Sequence, residues 1–325
     1  MNQAVRLSQL ALGATLAVAA ITHATASDFP AKSITVVVPN PPGGVVDAAA
    51  RLVSDSLSKT LGQAVVVDNR GGASGNIAYQ MVARAPKDGY TLLASYSAYH
   101  VGNPSLFKKP GWAQSDLVPV AMLVKAANVI AVHPSMPVKD LPGLISYAQK
   151  NPNMINYASQ GPGSLSHVGT ALFAQMTKTE LTHVPYKGSG PAMQDVLSGQ
   201  VQMFMSTPPS VGPHAKTGKL RALAVTSKKR HPMLPDVPTT AEAGLPDFQP
   251  EAWVALFAPA GTPSEVIKKM AAAVNTALES PAVKQRAELQ GIDPVVMSPR
   301  EIDALVLADT AHWSKIIKAN KISVD

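Results

Sequence analysis

Three glycine-rich loops hold the residues of this 325-residue chain best placed to do chemistry. The first reads Pro39-Asn40-Pro41-Pro42-Gly43-Gly44-Val45-Val46-Asp47. It follows a β-branched run, Ile34–Val38, and precedes an amphipathic pattern. Glycine lets a backbone turn sharply and approach a ligand closely. The N–H groups that open the next helix then face an anion, aided by about half a positive charge from the helix dipole. The second loop is Ser159-Gln160-Gly161-Pro162-Gly163-Ser164-Leu165-Ser166-His167, with Ser164 placed as an N-cap. The third is Tyr186-Lys187-Gly188-Ser189-Gly190-Pro191, where Pro191 suits a first helical turn. Taken singly, each loop reads as ordinary structure. Together they leave the carboxyl ends of strands in two halves of the chain, where open α/β sheets hold ligands.

Covalent chemistry finds less support. The first loop lacks the Lys-Ser/Thr of a P-loop, and the chain has no G-x-S-x-G elbow and no H-E-x-x-H. Cysteine is absent, which removes disulfides, thiolate metal ligands and a cysteine nucleophile. No metal or cofactor is expected. Asp47 and Asp88 are a candidate carboxylate pair, although Asp47 early in a helix also simply suits the dipole. The alternative to a binding protein is a secreted hydrolase using Ser164 with His167 or His183. That reading requires a histidine in hydrogen-bond reach of Ser164 and a carboxylate orienting it.

The elements that must position these loops alternate strand and helix, an α/β pattern with largely parallel sheets. Strands are predicted at 34–38, 64–67, 91–95, 129–132, 155–158, 181–184, 203–205, 222–226 and 253–258. Helices are predicted at 46–61, 75–84, 141–150, 165–177, 191–198, 264–280, 282–290 and 299–320, with a short strand at 295–297. Residues 1–26 read as a signal peptide: Arg6 gives a charged start, Leu7 to Ile21 is apolar, and Ala24-Thr25-Ala26 is the cleavage pattern. Removal after about Ala26 leaves an exported chain of about 300 residues, enough for two domains. Residues 124–221 look like a complete α/β unit, and 222–325 rejoins 27–123, so the chain crosses between lobes twice. No internal repeat is evident. The net charge of +7 is scattered and aromatics make up 5%, which argues against a nucleic-acid reader.

The sequence also resembles a known family. Pro42-Gly43-Gly44-x-x-Asp47, Val67-Asp68-Asn69-Arg70-Gly71-Gly72-Ala73-Ser74-Gly75-Asn76, Lys87-Asp88-Gly89-Tyr90-Thr91-Leu92-Leu93 and Tyr157-Ala158-Ser159-x-Gly161-x-Gly163-Ser164-x-x-His167 carry the likeness. So do His183-Val184-Pro185-Tyr186-Lys187-Gly188, the 218–227 stretch, Leu234-Pro235-Asp236-Val237-Pro238-Thr239 and Ala258-Pro259-Ala260-Gly261-Thr262-Pro263. They resemble the Bug family, the periplasmic solute-binding receptors of tripartite tricarboxylate transporters. The resemblance implies a two-lobed, Venus-flytrap (type II-like) periplasmic binding protein with two interdomain crossovers. It implies a monomer that clamps a small organic carboxylate (di-, tri- or aromatic) and docks transiently on membrane transporter subunits. By position it places Pro41, Gly43, Gly44 and Asp47 of the first lobe at the ligand. In the second lobe it adds Ser159, Gly161, Gly163, Ser164 and His167, with Lys187, Gly188 and Ser189 nearby.

Two departures from the family pattern mark where selectivity is expected. Where the family commonly has a Phe-Asp-Asn-like turn, this chain has Met205-Ser206-Thr207-Pro208-Pro209. Loss of that carboxylate removes repulsion towards an anionic ligand end, or a partner for an amino group. The second departure is Ser95-Tyr96-Ser97-Ala98-Tyr99-His100, where the family is small and polar. Tyr96, Ser97, Tyr99 and His100 either face an elongated or aromatic acid or pack against the lobe surface.

Overall fold

The computed structural model describes residues 29–322 and 324, so the expected signal peptide lies outside the described residues. Two sheets organise the chain. The first contains β1 (Ile34–Val38), β2 (Val65–Asn69), β3 (Thr91–Tyr96), β4 (Leu117–Ala126), β10 (Ala252–Pro259) and β11 (Asp293–Pro294), in the order β11-β4-β10-β3-β1-β2. The second contains β5 (Val129–Val132), β6 (Asn156–Ser159), β7 (Thr182–Pro185), β8 (Met203–Ser206) and β9 (Arg221–Val225), in the order β7-β6-β8-β5-β9.

Helices α1 (Val45–Leu61), α2 (Asn76–Ala83), α3 (Ser97–Leu106), α8 (Ser264–Glu279), α9 (Pro281–Gln290) and α10 (Pro299–Ala319) accompany the first sheet. Helices α4 (Leu141–Lys150), α5 (Leu165–Thr177), α6 (Ser189–Leu197) and α7 (Pro208–Lys216) accompany the second. Their ends follow local chemistry. Asp140 caps α4 by accepting from Gly143 N–H at 2.7 Å. Ser298 and Glu301 form a reciprocal capping box at α10, with Pro299 at the first position. Gly62 ends α1 at φ 69°, a left-handed conformation that suits glycine.

Two expectations need correction. The sheets are mixed rather than largely parallel: β10 runs antiparallel to β3 and β4, and β5 runs antiparallel to β8 and β9. These strands enter their sheets from the crossover side, so they run opposite to strands whose ends carry the loops. The ten-residue β4, Leu117–Ala126, also lies where the sequence pattern predicts no strand. The chain passes from the first sheet to the second between Ala126 and Val129 and leaves the second after Val225. Residue 124 therefore falls inside β4, and 222 falls inside β9.

The two passages are stitched together. Asn128 N–H donates to Thr226 Oγ1 (2.8 Å), and Thr226 N–H donates to the Asn128 carbonyl (2.9 Å). Thr226 Oγ1 and Asn128 Nδ2 both reach the Pro250 carbonyl. One apolar core runs through the first sheet and into the second, including Leu123, Ile130, Phe173 and Phe248. Burial on that scale is the main stabilising term of the fold.

Candidate ligand-binding site

The strand order locates a site before any side chain is considered. In the first sheet β1 has β2 on one side and β3 on the other, all parallel. The second sheet repeats this: β6 lies between β7 and β8, all parallel. Each arrangement has a switch point, where successive connections leave in opposite directions and open a crevice at the carboxyl ends. In one lobe it falls between Pro39-Asn40 and Tyr96-Ser97, and in the other between Ser159-Gln160 and Ser206-Thr207.

The two switch points meet. The Tyr96 hydroxyl stands beside the backbone N–H of Leu165, first residue of α5. Leu106 of α3 lies against Gly163, whose φ is 77°. A Cβ at Gly163 would stand 2.6 Å from Leu106 Cδ1 and push the end of that side chain aside, while the left-handed conformation itself favours glycine.

The first loop is built around Asp47, which is 5% exposed. Its carboxylate accepts from Gly43 N–H, Arg51 Nε and Asn69 Nδ2, each at 3.0 Å. Burial alone would raise this carboxyl. The hydrogen bonds from Arg51, Gly43 and Asn69, with the Arg51 charge, outweigh burial and hold it below its ordinary value. Pro41, Gly43 and Gly44 are exposed. Ala48 N–H is bonded to the Gly44 carbonyl (2.9 Å), so the N–H groups before it, in the first turn of α1, have no intrahelical acceptor. Asp88 does not pair with Asp47. It accepts from Tyr90 N–H and lies 3.6 Å from Lys32, at the opposite end of β3.

The second loop is held by neutral groups. Ser159 Oγ lies 2.7 Å from His183 Nε2 and accepts from Gly161 N–H (3.2 Å). Gly163 N–H donates to His167 Nδ1 (3.1 Å), which leaves the ring proton of neutral His167 on Nε2. Gln160 N–H donates to Ser166 Oγ (2.9 Å). The rings of His167 and His183 stack at 3.8 Å and 5°, and Tyr157 continues the column at 5.0 Å from His183. Burial, with repulsion from His183, pushes His167 down to about 3. Burial pushes His183 down to about 4.

The hydrolase geometry is not assembled. Ser164 Oγ donates to the Gly161 carbonyl (2.6 Å) and lies 3.0 Å from Ser166 Oγ, not from a histidine. Nor does the Ser164 side chain cap α5.

The remaining expected residues fall as follows. Lys187 is exposed, with Gly188 and Ser189 half-buried at the start of α6. Ser206 is fully buried, and its Oγ makes no hydrogen bond among the described residues. Thr207 Oγ1 lies 3.1 Å from Ser210 Oγ. Pro208 and Pro209 have no N–H, and the next two N–H groups return to the Thr207 carbonyl, so α7 opens without free donors.

Ser97 Oγ accepts from Trp253 N–H (3.1 Å) and is tied to β10. Tyr99 is half-buried, and its hydroxyl accepts from Asn40 Nδ2 (3.1 Å). His100 packs inside, 4.4 Å from the Phe257 ring centroid, and burial holds it near 3. Asn69 and Arg51, the partners of Asp47, are not among the residues expected at the site. Arg51 was visible as the i+4 neighbour of an acid on a helix.

Residues 49–322 match a family model described as the tripartite tricarboxylate transporter family receptor. The chain belongs to this family. A relative described as BugT from Bordetella pertussis is 36% identical over 310 residues, covering 94% of this chain and 95% of the relative. Among solved structures, Rpa4515 from R. palustris with adipate is similar with 37% identity and a TM-score of 0.84. It covers 91% of this chain and 100% of that one. MatC (Rpa3494) from Rhodopseudomonas palustris with bound malate gives 35% identity and a TM-score of 0.79, covering 89% and 100%.

Members of this family are solute-binding receptors, and the chain is a receptor rather than an enzyme. Its fold is the two-lobed α/β fold of periplasmic binding proteins, and its relatives support a periplasmic location.

Proposed function

We propose that this receptor closes its two lobes on a small organic carboxylate and presents it to a tripartite membrane transporter. The observation that carries the reading is the meeting of two equivalent switch points, one of them presenting the open N-terminal turn of α1. An anion there gains charge-assisted hydrogen bonds from main-chain N–H groups without needing a cationic side chain. Relatives solved with adipate and with malate support an acid of this kind.

On this reading Pro41, Gly43, Gly44 and the α1 start hold one carboxylate. Asp47 shapes that loop, and the loops after β6, β7 and β8 complete the chamber. Tyr96 and Tyr99 bound the variable end. The chain is exported with cleavage after about Ala26 and acts as a monomer.

The test is a thermal-shift panel of mono-, di-, tri- and aromatic carboxylates. A binder present at 100 times its Kd stabilises the native state by about 2.7 kcal/mol. No rise with any acid, together with turnover of a substrate, would end the receptor reading. A second expectation concerns Ser206 and Thr207, which offer no carboxylate to an ammonium group. Glutamate and aspartate should bind more weakly than the matching plain diacids by calorimetry, and tight glutamate binding would contradict this.

A further inference from the structure

Tyr96 differs from the other residues of the cleft because it spans it. It is the last residue of β3, at the first lobe's switch point, and its hydroxyl stands beside the backbone N–H that opens α5 in the second lobe. The side chain therefore lies between the two lobes. Only 6% of the residue is exposed.

It is also fixed from behind. The Tyr79 hydroxyl donates to the Tyr96 carbonyl and accepts from the Tyr96 N–H, both at 3.1 Å. Since Tyr79 has spent its one proton, Ser95 Oγ donates to it (2.8 Å) and accepts from His100 Nδ1 (2.9 Å). The relay runs in one direction through neutral groups, and burial keeps His100 neutral. The Tyr99 ring stands edge-on to Tyr96 at 5.1 Å and 87°. Tyr99 is bonded in turn to Asn40 of the first loop.

We infer that Tyr96 is the end wall of the ligand chamber and sets the longest acid the closed lobes accept. The inference rests on the carboxylate reading above. A longer acid has to displace a ring that is buried between the lobes and packed edge-on against Tyr99. Short acids close the lobes without disturbing it.

The experiment is calorimetry of the full mature chain with unbranched α,ω-dicarboxylates from malonate to suberate. Wild type should tighten about fourfold per methylene that fits, then fall sharply at a cutoff. Tyr96→Ala should move the cutoff to longer acids, with a gain of about tenfold or more for the first acid that wild type excludes. Tyr96→Leu keeps an apolar side chain between the lobes, guards against a folding defect, and should move the cutoff less. Tyr96→Phe keeps the ring and should keep the cutoff. Tyr79→Phe frees the Tyr96 backbone and should blur the cutoff without shifting the preferred acid. A folded Tyr96→Ala protein with the wild-type cutoff overturns this inference alone. Failure of every diacid with wild type and variants overturns this inference, whereas the receptor reading falls only if the wider panel of acids above fails as well.

Discussion

The two lobes share a strand plan but hold their β1–α1 and β6–α5 loops by different means. In the first, one buried carboxylate gathers Gly43 N–H, Arg51 and Asn69, and the helix start beyond it stays open. In the second, hydroxyls and two neutral imidazoles satisfy the loop from within, with Gly161, Gly163 and Gln160 N–H groups all engaged. The difference separates two tasks that a glycine-rich loop can perform. A loop clamped by a charge from behind leaves its main-chain donors free for an anion, while a self-satisfied loop offers shape. On the proposed function the first lobe supplies most of the charge-assisted contacts. The second supplies walls, with the starts of α5 and α6 as further sources of donors.

Removing the clamp should have the largest effect. Asp47→Ala removes the shared acceptor of a backbone N–H, an amide and a guanidinium at once. Hydrogen bonds to charged groups are worth about 1.5–3 kcal/mol, and loss of a fully buried pair costs about 3–5. Arg51 is 53% exposed and can turn to water, so a loss of about 2–3 kcal/mol in denaturant melts is expected. Carboxylate binding should weaken with it. A cost below about 1 kcal/mol would mean that the carboxylate does not hold the first loop.

The lobes should next be separable by pH. His167 and His183 sit near 3 and 4 when folded and titrate near 6.5 when unfolded. Between those values the unfolded chain binds more protons, so their contribution to stability falls as the pH drops from about 7 to about 4. Asp47 works lower. Its folded value lies below its unfolded one, so its stabilisation is present above the ordinary carboxylate range and is lost only as the pH falls through the folded value. His100 and His231 are also lowered and add to the acid slope. The informative quantity is therefore wild type minus the double variant His167→Phe, His183→Phe. The variant's melts should show a shallower pH dependence from 7 to 4 and an unchanged loss below it. Equal slopes would remove the neutral histidine column from the comparison.

A smaller effect is expected at Ser159. Ser159→Ala removes the partner of His183 Nε2 and of Gly161 N–H but strands no charge, so about 1–2 kcal/mol is expected. If Ser159→Ala costs as much as Asp47→Ala, the contrast between charged and neutral support fails.

Much of this contrast was not legible in the sequence. The helices at 141–150 and 165–177 were, because apolar residues recur on one face and Asp140 and Ser164 mark their starts. The loops at 39–47 and 159–167 were legible from glycine and proline after β-branched runs. Helices α3 and α7 were not, since Gly102 and Pro104 lie inside one and Pro213 inside the other. Strand β4 contains Pro119 and lies beside an irregularity in its pairing with β10. The topological repeat between lobes leaves no trace in sequence because it fixes directions and neighbours, not residue types. For the same reason the sequence named Asp47 but not its role. A first-turn carboxylate can face water, ligand or its own loop, and only the arrival of Asn69 from β2 decides which.

The smallest effect is expected at Ser206, and it bears on the comparison most directly. Ser206 ends β8 as Tyr96 ends β3, so the two hold equivalent places beside their switch points. Tyr96 has its backbone bonded to Tyr79 and its hydroxyl beside Leu165 N–H, whereas Ser206 Oγ is buried with no partner among the described residues. A buried hydroxyl without a partner is a cost in the ligand-free protein, so Ser206→Ala should be neutral or stabilise by up to about 1 kcal/mol. If that hydroxyl meets the ligand when the lobes close, the same variant should lose about fivefold to tenfold in affinity for the best carboxylate. Stability gained and affinity lost in one variant would place the second lobe's polar contact at the end of β8 rather than in the β6–α5 loop. Stability gained with affinity unchanged would leave the second lobe with shape alone at this position.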